Sequence, residues 1–557
     1  MTSPPITNIA AEAPDDDDAA TPAAPPPNAA ATATADAPQW ASSRVPRRPC
    51  AFSVMSRHKQ AAKARLGSDH PLLDLSIGSS DLSPHRRVLE ALRDAPLGDP
   101  NTHAYGLRPM TLPFLKAATD WFAREFGGPT HARSATLAAA GGRRSGGDGD
   151  GEPPEPPPPQ LRPLDVHTEA LALIGAQEGL AHLLLAVCEP GDAVLMSDVA
   201  YPPYASACDV ASLTPRLYRL SRGGGGNDNG SQQLLPDLEA IEAELVAEEQ
   251  AQQQQDRPRP RVLLINLPHN PTGAVPSYRF WRRALDFCER HGLLLVSDNP
   301  YAALVFPPVA DGEDQSSSND ARPSAAAMRA MGFDADAQQQ QQQAVGLTAP
   351  GALAYALYEA KGRESRIVEL FSLSKSHLMG GMRLGFALGS SSAIAALEAV
   401  KAPVDFNQWR GLLSAGETAL RLPAEETSWP VAREYAKRAT ALVRSLEKEA
   451  GWDVAAASAS DPAAAMYVWA RLPRGWRAAR RRKGGDGGQE DGDEDGDDDD
   501  DDAAFCRDLV LATGVALAPG SGFGPGGRGH VRFALVAPAD ALAGAAKAIG
   551  AFLDGRV

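Results

Sequence analysis

The chain repeats one theme: a short apolar run, a polar loop, then a stretch with helical apolar spacing. Ala193 to Met196 (AVLM), Val262 to Ile265 (VLLI), Leu293 to Val296 (LLLV) and Arg366 to Phe371 (RIVELF) are too short for helices and read as buried strands. Gln177 to Cys188 and Arg279 to Arg290 carry helical spacing, with stops at Glu189-Pro190-Gly191 and His291-Gly292. Strands alternating with helices predict an α/β fold with a mostly parallel sheet. In such sheets ligands bind outside the carboxyl ends of the strands. Tyr201, Asn270, Asp298 and Lys375 all follow such ends, so the pattern predicts that four distant segments converge.

Composition reduces the part of the 557 residues that can fold around a core. Residues 1–40 are rich in Ala, Pro, Asp and Thr, residues 127–160 in Gly and Pro, and residues 223–232 in Gly and Asn. Gln252 to Gln255 and Gln338 to Gln343 are glutamine runs, and 478–502 is basic and then acidic. Without apolar periodicity these stretches read as a disordered tail and surface insertions. What remains is a body of about 400 residues, enough for two domains.

The net charge of −16 comes from two runs, Asp15 to Asp18 and residues 486–502. Setting aside their sixteen carboxylates reduces the 70 acidic residues to 54, against 54 lysines and arginines. Such runs aid solubility, and the basic patch Arg477 to Lys483 beside the second one reads as a self-neutralising loop. No nucleic-acid partner is expected. Five scattered cysteines (Cys50, Cys188, Cys208, Cys288, Cys506) fit a reducing compartment and argue against a disulfide framework or a metal site. No run reaches membrane-spanning length. The first forty residues lack a signal-peptide core. A cytoplasmic location is expected, with a plastid or other organelle as the alternative.

Candidate chemistry centres on Phe371-Ser-Leu-Ser-Lys-Ser-His-Leu-Met-Gly-Gly-Met-Arg-Leu-Gly385. Lys375, two nearby serines and Arg383 could hold a phosphorylated aldehyde, with the lysine as Schiff base and the arginine on the phosphate. Asp298 in Ser297-Asp-Asn-Pro-Tyr301 could pair with a pyridine nitrogen, and Tyr301 could bond the ring's phenolic oxygen. A turn or helix-capping aspartate is the bland alternative. Asn266-Leu-Pro-His-Asn-Pro-Thr-Gly273 forms a rigid loop presenting the Asn270 amide. Ile174-Gly-Ala-Gln-Glu-Gly179 opens a helix whose free N–H groups suit a phosphate at Gly175 to Gln177. Tyr201 could stack on a planar ring.

Asn270-Pro-Thr-Gly273, Asp298-x-x-Tyr301 and Ser372-x-x-Lys375 with Arg383 resemble the class I/II aminotransferases, the fold-type I pyridoxal-phosphate enzymes. The likeness runs from about Leu73 to His530-Val-Arg-Phe533. Leu173 to Tyr204 and Val404 to Gly411 look most like the LL-diaminopimelate or aspartate aminotransferase-like group.

The resemblance implies a large cofactor-binding domain at 101–395, and a smaller α/β domain built from 46–100 and 396–557 beyond a tail at 1–45. Insertions would fall near 127–160, 223–260, 308–350 and 478–502. It implies that Lys375 carries pyridoxal 5'-phosphate, Asp298 pairs with the ring nitrogen, and Asn270 and Tyr301 bind the phenolic oxygen. Tyr201 would stack on the ring, while Gly175, Ala176, Gln177, Ser372 and Arg383 would hold the phosphate. Arg532 would clamp the substrate α-carboxylate, Gly78 would lie in the segment closing over the substrate, and Tyr105 would reach the phosphate of the neighbouring subunit in a homodimer. The chain departs from the family at Met110, where a glycine is usual, and at Ala176, where many relatives have serine.

The implied reaction is ping-pong transfer of an amino group between an L-amino acid and a 2-oxo acid. A carbon–sulfur lyase or cyclase on the same scaffold is one alternative, and a non-catalytic sensor is another. Trp409 and Arg410 are exposed-looking candidates for side-chain recognition, with helix packing and surface charge as their bland readings.

Overall fold

The computed structural model describes residues 42, 44–45, 51–67, 70–105, 107–127, 161–222, 233–250, 258–306, 348–359, 361–454, 463–473, 476 and 501–556. The compact unit spans Ser43–Val557. The expected tail and the insertions near 127–160, 308–350 and 478–502 lie almost wholly outside the described residues, whereas much of 223–260 is described.

Short apolar runs become strands because both faces of the sheet are covered. The main sheet comprises β1 (Ala170–Leu173), β2 (Ala193–Ser197), β3 (Thr214–Tyr218), β4 (Pro260–Asn266), β5 (Leu294–Asp298), β6 (Ile367–Ser372) and β7 (Gly385–Gly389). Their order is β1-β7-β6-β5-β4-β2-β3. All neighbours are parallel except β7, which is antiparallel to both β1 and β6. The predicted strands hold to within a few residues. The flanking glycines of β7, Gly385 and Gly389, conceal its strand character in the sequence.

Successive side chains alternate between the faces. Leu263, Ile265, Leu295, Ile367 and Phe371 pack with the helices Arg108–Gly127, Tyr278–His291, Ala352–Glu359 and Arg410–Arg421. Val262, Leu264, Val296, Val368 and Leu370 pack against Ala176–Val187, Pro203–Ala211 and Ser391–Asp405. Local signals set the ends of these helices. Ser277 accepts from the Phe280 amide at one start, and Gly292 closes the same helix at φ +65°.

A second core surrounds a three-stranded antiparallel sheet, β8 (Tyr467–Arg471), β9 (Ala518–Pro519) and β10 (His530–Ala534), in the order β8-β10-β9. Helices Ala51–Leu66, Ser428–Ala450, Asp501–Thr513 and Ala539–Leu553 complete it around buried Tyr435, Trp452, Phe505 and Phe533. The crossing between the two cores falls between Arg421 and Ser428. The early segment joins the second core too, because Leu73–Asp74 pairs in parallel with Val515–Ala516.

Two expectations need correction. Residues 233–250 fold, with Leu234–Pro236 a strand and Leu238–Gln250 a helix, because Leu235, Leu238, Ile241 and Leu245 supply a buried face. Asp502, expected in a solvated acidic run, is fully buried and accepts from the amides of Ser521 (2.7 Å) and Gly529 (3.2 Å). Among the described residues, no helix is long and apolar enough to cross a membrane.

Candidate active site

Strand register brings the predicted residues to one edge of the main sheet. Asn266 pairs with Asp298, Asp298 with Leu370, Ser372 with Gly385, and Gly385 with Leu173. The carboxyl ends of β1, β4, β5 and β6 and the start of β7 therefore form one row.

Asp298 ends β5 on the face shared with Val296, and it is buried. The Tyr204 hydroxyl donates to its Oδ2. Its Oδ1 is buried and has no hydrogen-bond partner among the described residues. Burial pushes the carboxyl up to about 6, and the Tyr204 bond holds it back from rising further. Tyr204 itself is pushed well above its usual range, first by burial and then by the Asp298 charge. Tyr201, one turn earlier, lies edge-on to Tyr204 with ring centroids 5.6 Å apart, and its hydroxyl donates to Gln177 Oε1 at 3.3 Å.

Lys375 sits in the helical turn Leu373–Ser376 directly after β6. Ser372 caps that turn by accepting from the Ser374 amide at 3.2 Å. The Lys375 amine donates to the Gly78 carbonyl at 2.6 Å. Arg383 enters β7 with φ +53° and ψ +62°, and its guanidinium lies against Gly175. A Cβ on Gly175 would meet Arg383 Nη2 at 2.8 Å, and Gly175 also has φ +83°, so only glycine fits there. Ala176 and Gln177 open the Ala176–Val187 helix beside it. Free helix N–H groups facing a guanidinium make an anion cup.

The third cluster comes from the second core. Arg532 on β10 is almost fully buried. It donates to Asn270 Oδ1 at 3.0 Å and to the Ser76 carbonyl at 2.8 Å. Its guanidinium lies 4.2 Å from the ring centre of Tyr467 and 4.7 Å from that of Phe523. With Oδ1 of Asn270 turned to Arg532, the amide NH₂ points the other way. The Asn270 loop is fixed from below, since Asn266 Oδ1 accepts from its amide at 2.9 Å and His269 bridges Thr272 Oγ1 (2.8 Å) and the Val199 carbonyl (3.0 Å).

The Tyr301 and Tyr467 hydroxyls lie 3.0 Å apart. Burial acts to raise the Tyr467 phenol, but the charges of Lys375 and Arg532 and the bond from Tyr301 outweigh it and bring it below its usual range. Tyr301 is pushed well above, first by burial and then by Tyr467, and the Arg532 charge offsets only part of that rise. Gly78 packs so tightly on the Tyr467 hydroxyl that a side chain there would collide with it.

Lys375, Asp298, Asn270, Tyr301, Tyr201, Ser372, Arg383, Gly175, Ala176, Gln177, Arg532 and Gly78 are thus linked through shared partners or one strand row. Tyr105 stands apart. It is 77% exposed, with its ring 5.4 Å from that of Phe406. Trp409 stacks on His103, and Arg410 donates to the Asn101 carbonyl at 2.6 Å, which favours their packing roles. The sequence reading missed Tyr204, Tyr467 and His269 as site components. Tyr204 falls one helical turn after Tyr201, a spacing that would have flagged it. Tyr467 has no such local signal.

A profile of the family described as "Aminotransferase class I and II" matches residues 160–549. The LL-diaminopimelate aminotransferase of Aquifex aeolicus (strain VF5) is 27% identical over 501 residues, covering 90% of this chain and 96% of the relative. A solved structure described as a probable N-succinyldiaminopimelate aminotransferase from Thermus thermophilus matches with TM-score 0.62 and 36% identity, over 90% of this chain and 99% of that one. The N-succinyldiaminopimelate aminotransferase of Mycobacterium tuberculosis shares the fold at TM-score 0.61 and 22% identity, over 92% and 100%. The expected fold-type I architecture is what the sheet order and these neighbours show. The chain belongs to the class I and II aminotransferases, a pyridoxal-phosphate-dependent family, close to the LL-diaminopimelate group, and it is a transaminase.

Proposed function

We propose that the residues at this sheet edge hold pyridoxal 5'-phosphate and transfer the amino group of a diaminopimelate-type donor to a 2-oxo acid. The observation carrying the cofactor reading is the buried, partnerless Oδ1 of Asp298. An orphaned carboxylate oxygen costs free energy unless a donor meets it, and a pyridinium N–H is such a donor. The Gly175–Arg383 cup fits a phosphate in the same way. The donor class is suggested by the names of the relatives. Those aminotransferase names do not favour the lyase, cyclase or sensor readings.

When bound, the cofactor supplies an aldehyde that takes up the amino group and a ring that withdraws electrons from Cα. The protein's part follows from its geometry. The Lys375 amine would hold the aldehyde carbon, and as a free base it would take the proton from the substrate Cα and hold it at Nζ. Asp298 Oδ1 would keep the ring nitrogen protonated, since Tyr204 occupies Oδ2. The bound cation in turn favours the ionised carboxylate against the cost of burial. The Asn270 amide and the Tyr301 hydroxyl would serve the ring oxygen, and Tyr201 would cover the ring. Arg383, Ser372 and the amides from Gly175 to Gln177 neutralise the phosphate. Arg532 takes the substrate carboxylate with its planar fork.

We also propose a homodimer in which Tyr105 reaches the partner's phosphate. Exposed Leu97, Tyr105, Leu107, Met110, Val404 and Phe406 support an apolar interface.

The test is a half-reaction screen. Protein loaded with pyridoxal 5'-phosphate is mixed with one amino acid at a time, and loss of the visible absorbance band is followed. Diaminopimelate-type donors are expected to bleach the band and yield a 2-oxo acid. Lys375→Ala is expected to show no band and no turnover, and normal turnover by that variant would end the proposal.

A further inference from the structure

The single peptide group joining Leu173 to Ile174 leads from β1 into the phosphate cup, and both of its polar ends are pinned by side chains outside the catalytic set. The first is the Leu173 carbonyl, which accepts from Gln408 Nε2 at 2.5 Å. The second is the Ile174 amide, which donates to Glu178 Oε2 at 2.8 Å. The same Gln408 Nε2 also donates to the Arg383 carbonyl at 2.7 Å. Both partners of Gln408 are carbonyl oxygens, so only its NH₂ can serve them, and the amide orientation is fixed. One buried side chain thus ties the loop that makes the cup to the backbone of the arginine that faces it.

Arg383 needs such a tie. A non-glycine residue in the left-handed region is strained and persists only where its surroundings hold it.

Glu178 is secured in turn. Lys401, almost fully buried, lies 3.4 Å from Glu178 Oε2 and 2.7 Å from Asp405 Oδ1. His182 Nδ1 lies 2.6 Å from Glu178 Oε1. Glu178, His182 and Asp405 have the spacing of a metal-binding group. The Lys401 ammonium between the carboxylates already supplies the cation. Lys401, Asp405 and Gln408 all belong to one stretch, the end of the Ser391–Asp405 helix and the turn after it.

We infer that Gln408, seconded by the Lys401–Glu178 pair, is a positioning residue that sets the protein's selectivity for the phosphorylated cofactor. The inference rests on the cofactor reading proposed above. Its signature is selective. Gln408 touches the cup and Arg383, and the Asp298 and Asn270 contacts do not involve it, so binding of the ring should survive its loss while binding of the phosphate weakens.

The experiment titrates cofactor-free protein with pyridoxal 5'-phosphate and, separately, with unphosphorylated pyridoxal, following protein fluorescence. Wild type is compared with Gln408→Met, which keeps the side-chain volume and removes the donor. Loss of the donor is expected to weaken pyridoxal 5'-phosphate about tenfold while leaving pyridoxal within about twofold. Equal weakening of both ligands, or of neither, overturns the inference. Should Gln408→Met fail to fold by circular dichroism, Gln408→Asn replaces it, since the shorter amide cannot reach both carbonyls. A smaller but equally selective loss is then expected, and an unchanged preference for the phosphorylated ligand overturns the inference. If wild type itself shows no preference between the two ligands, the phosphate cup is misassigned, and both readings fall together.

Discussion

Asp298 has two oxygens in different surroundings, one bonded to Tyr204 and one buried without a partner. The difference fixes which oxygen a ring nitrogen would meet. It also makes a prediction about cofactor-free protein. An aspartate carboxyl titrates at ~3.9 when unfolded. In the folded chain Asp298 is pushed up to about 6. The folded state therefore binds its proton more tightly, so stability from this group is highest at low pH and falls as pH rises from ~4 to about 6.

Tyr204→Phe removes the bond that favours the ionised form, so the folded value rises and the loss continues to higher pH. Urea unfolding of both proteins should show a gap that opens as pH climbs through 6, reaching about 2 kcal/mol. A gap that does not change with pH would exclude this account of Tyr204. Lys375, Asp298, Asn270 and Arg383 were legible as residues because each sits in a restrictive local string. The Tyr204 bond spans 94 positions and Tyr467 meets Tyr301 across 166, and no local pattern encodes such meetings.

Strands buried on both faces announce themselves as apolar runs, which is why β2, β4, β5 and β6 could be read directly. β7 could not, because Gly385 and Gly389 bound only three side chains. Charge can mislead in the same way. An aspartate run reads as solvated, yet Asp502, in the first turn of Asp501–Thr513, turns inward to satisfy two loop amides. Asp502→Ala strands both donors, and it should lower stability by about 1–3 kcal/mol in urea titrations. A change within experimental error would mean that water replaces the carboxylate there.

At the scale of the molecule, the site is a seam. The sheet edge supplies Lys375, Asp298 and Arg383, and the second core brings Arg532 and Tyr467. The two-core arrangement was legible only through family likeness, since nothing in periodicity says that residues 73–75 pair with a strand more than four hundred positions later. The apolar surface around Phe406 belongs to this scale too. Phe406→Ser is expected to shift the protein from dimer to monomer in light scattering. Tyr105→Phe should leave the dimer intact but weaken pyridoxal 5'-phosphate by about tenfold or less. A monomeric wild type would refute both expectations.

The guanidinium of Arg532 donates to the Ser76 carbonyl, and two residues on the Gly78 carbonyl accepts from the Lys375 amine. Ser76 thus rehearses the visitor, offering the clamp one oxygen where a substrate carboxylate would offer two. A carboxylate can unfasten that latch, whereas an alkylamine has no oxygen to put in its place. Adding a reactive amino acid should therefore speed amide deuterium uptake in this short stretch, and adding butylamine should not.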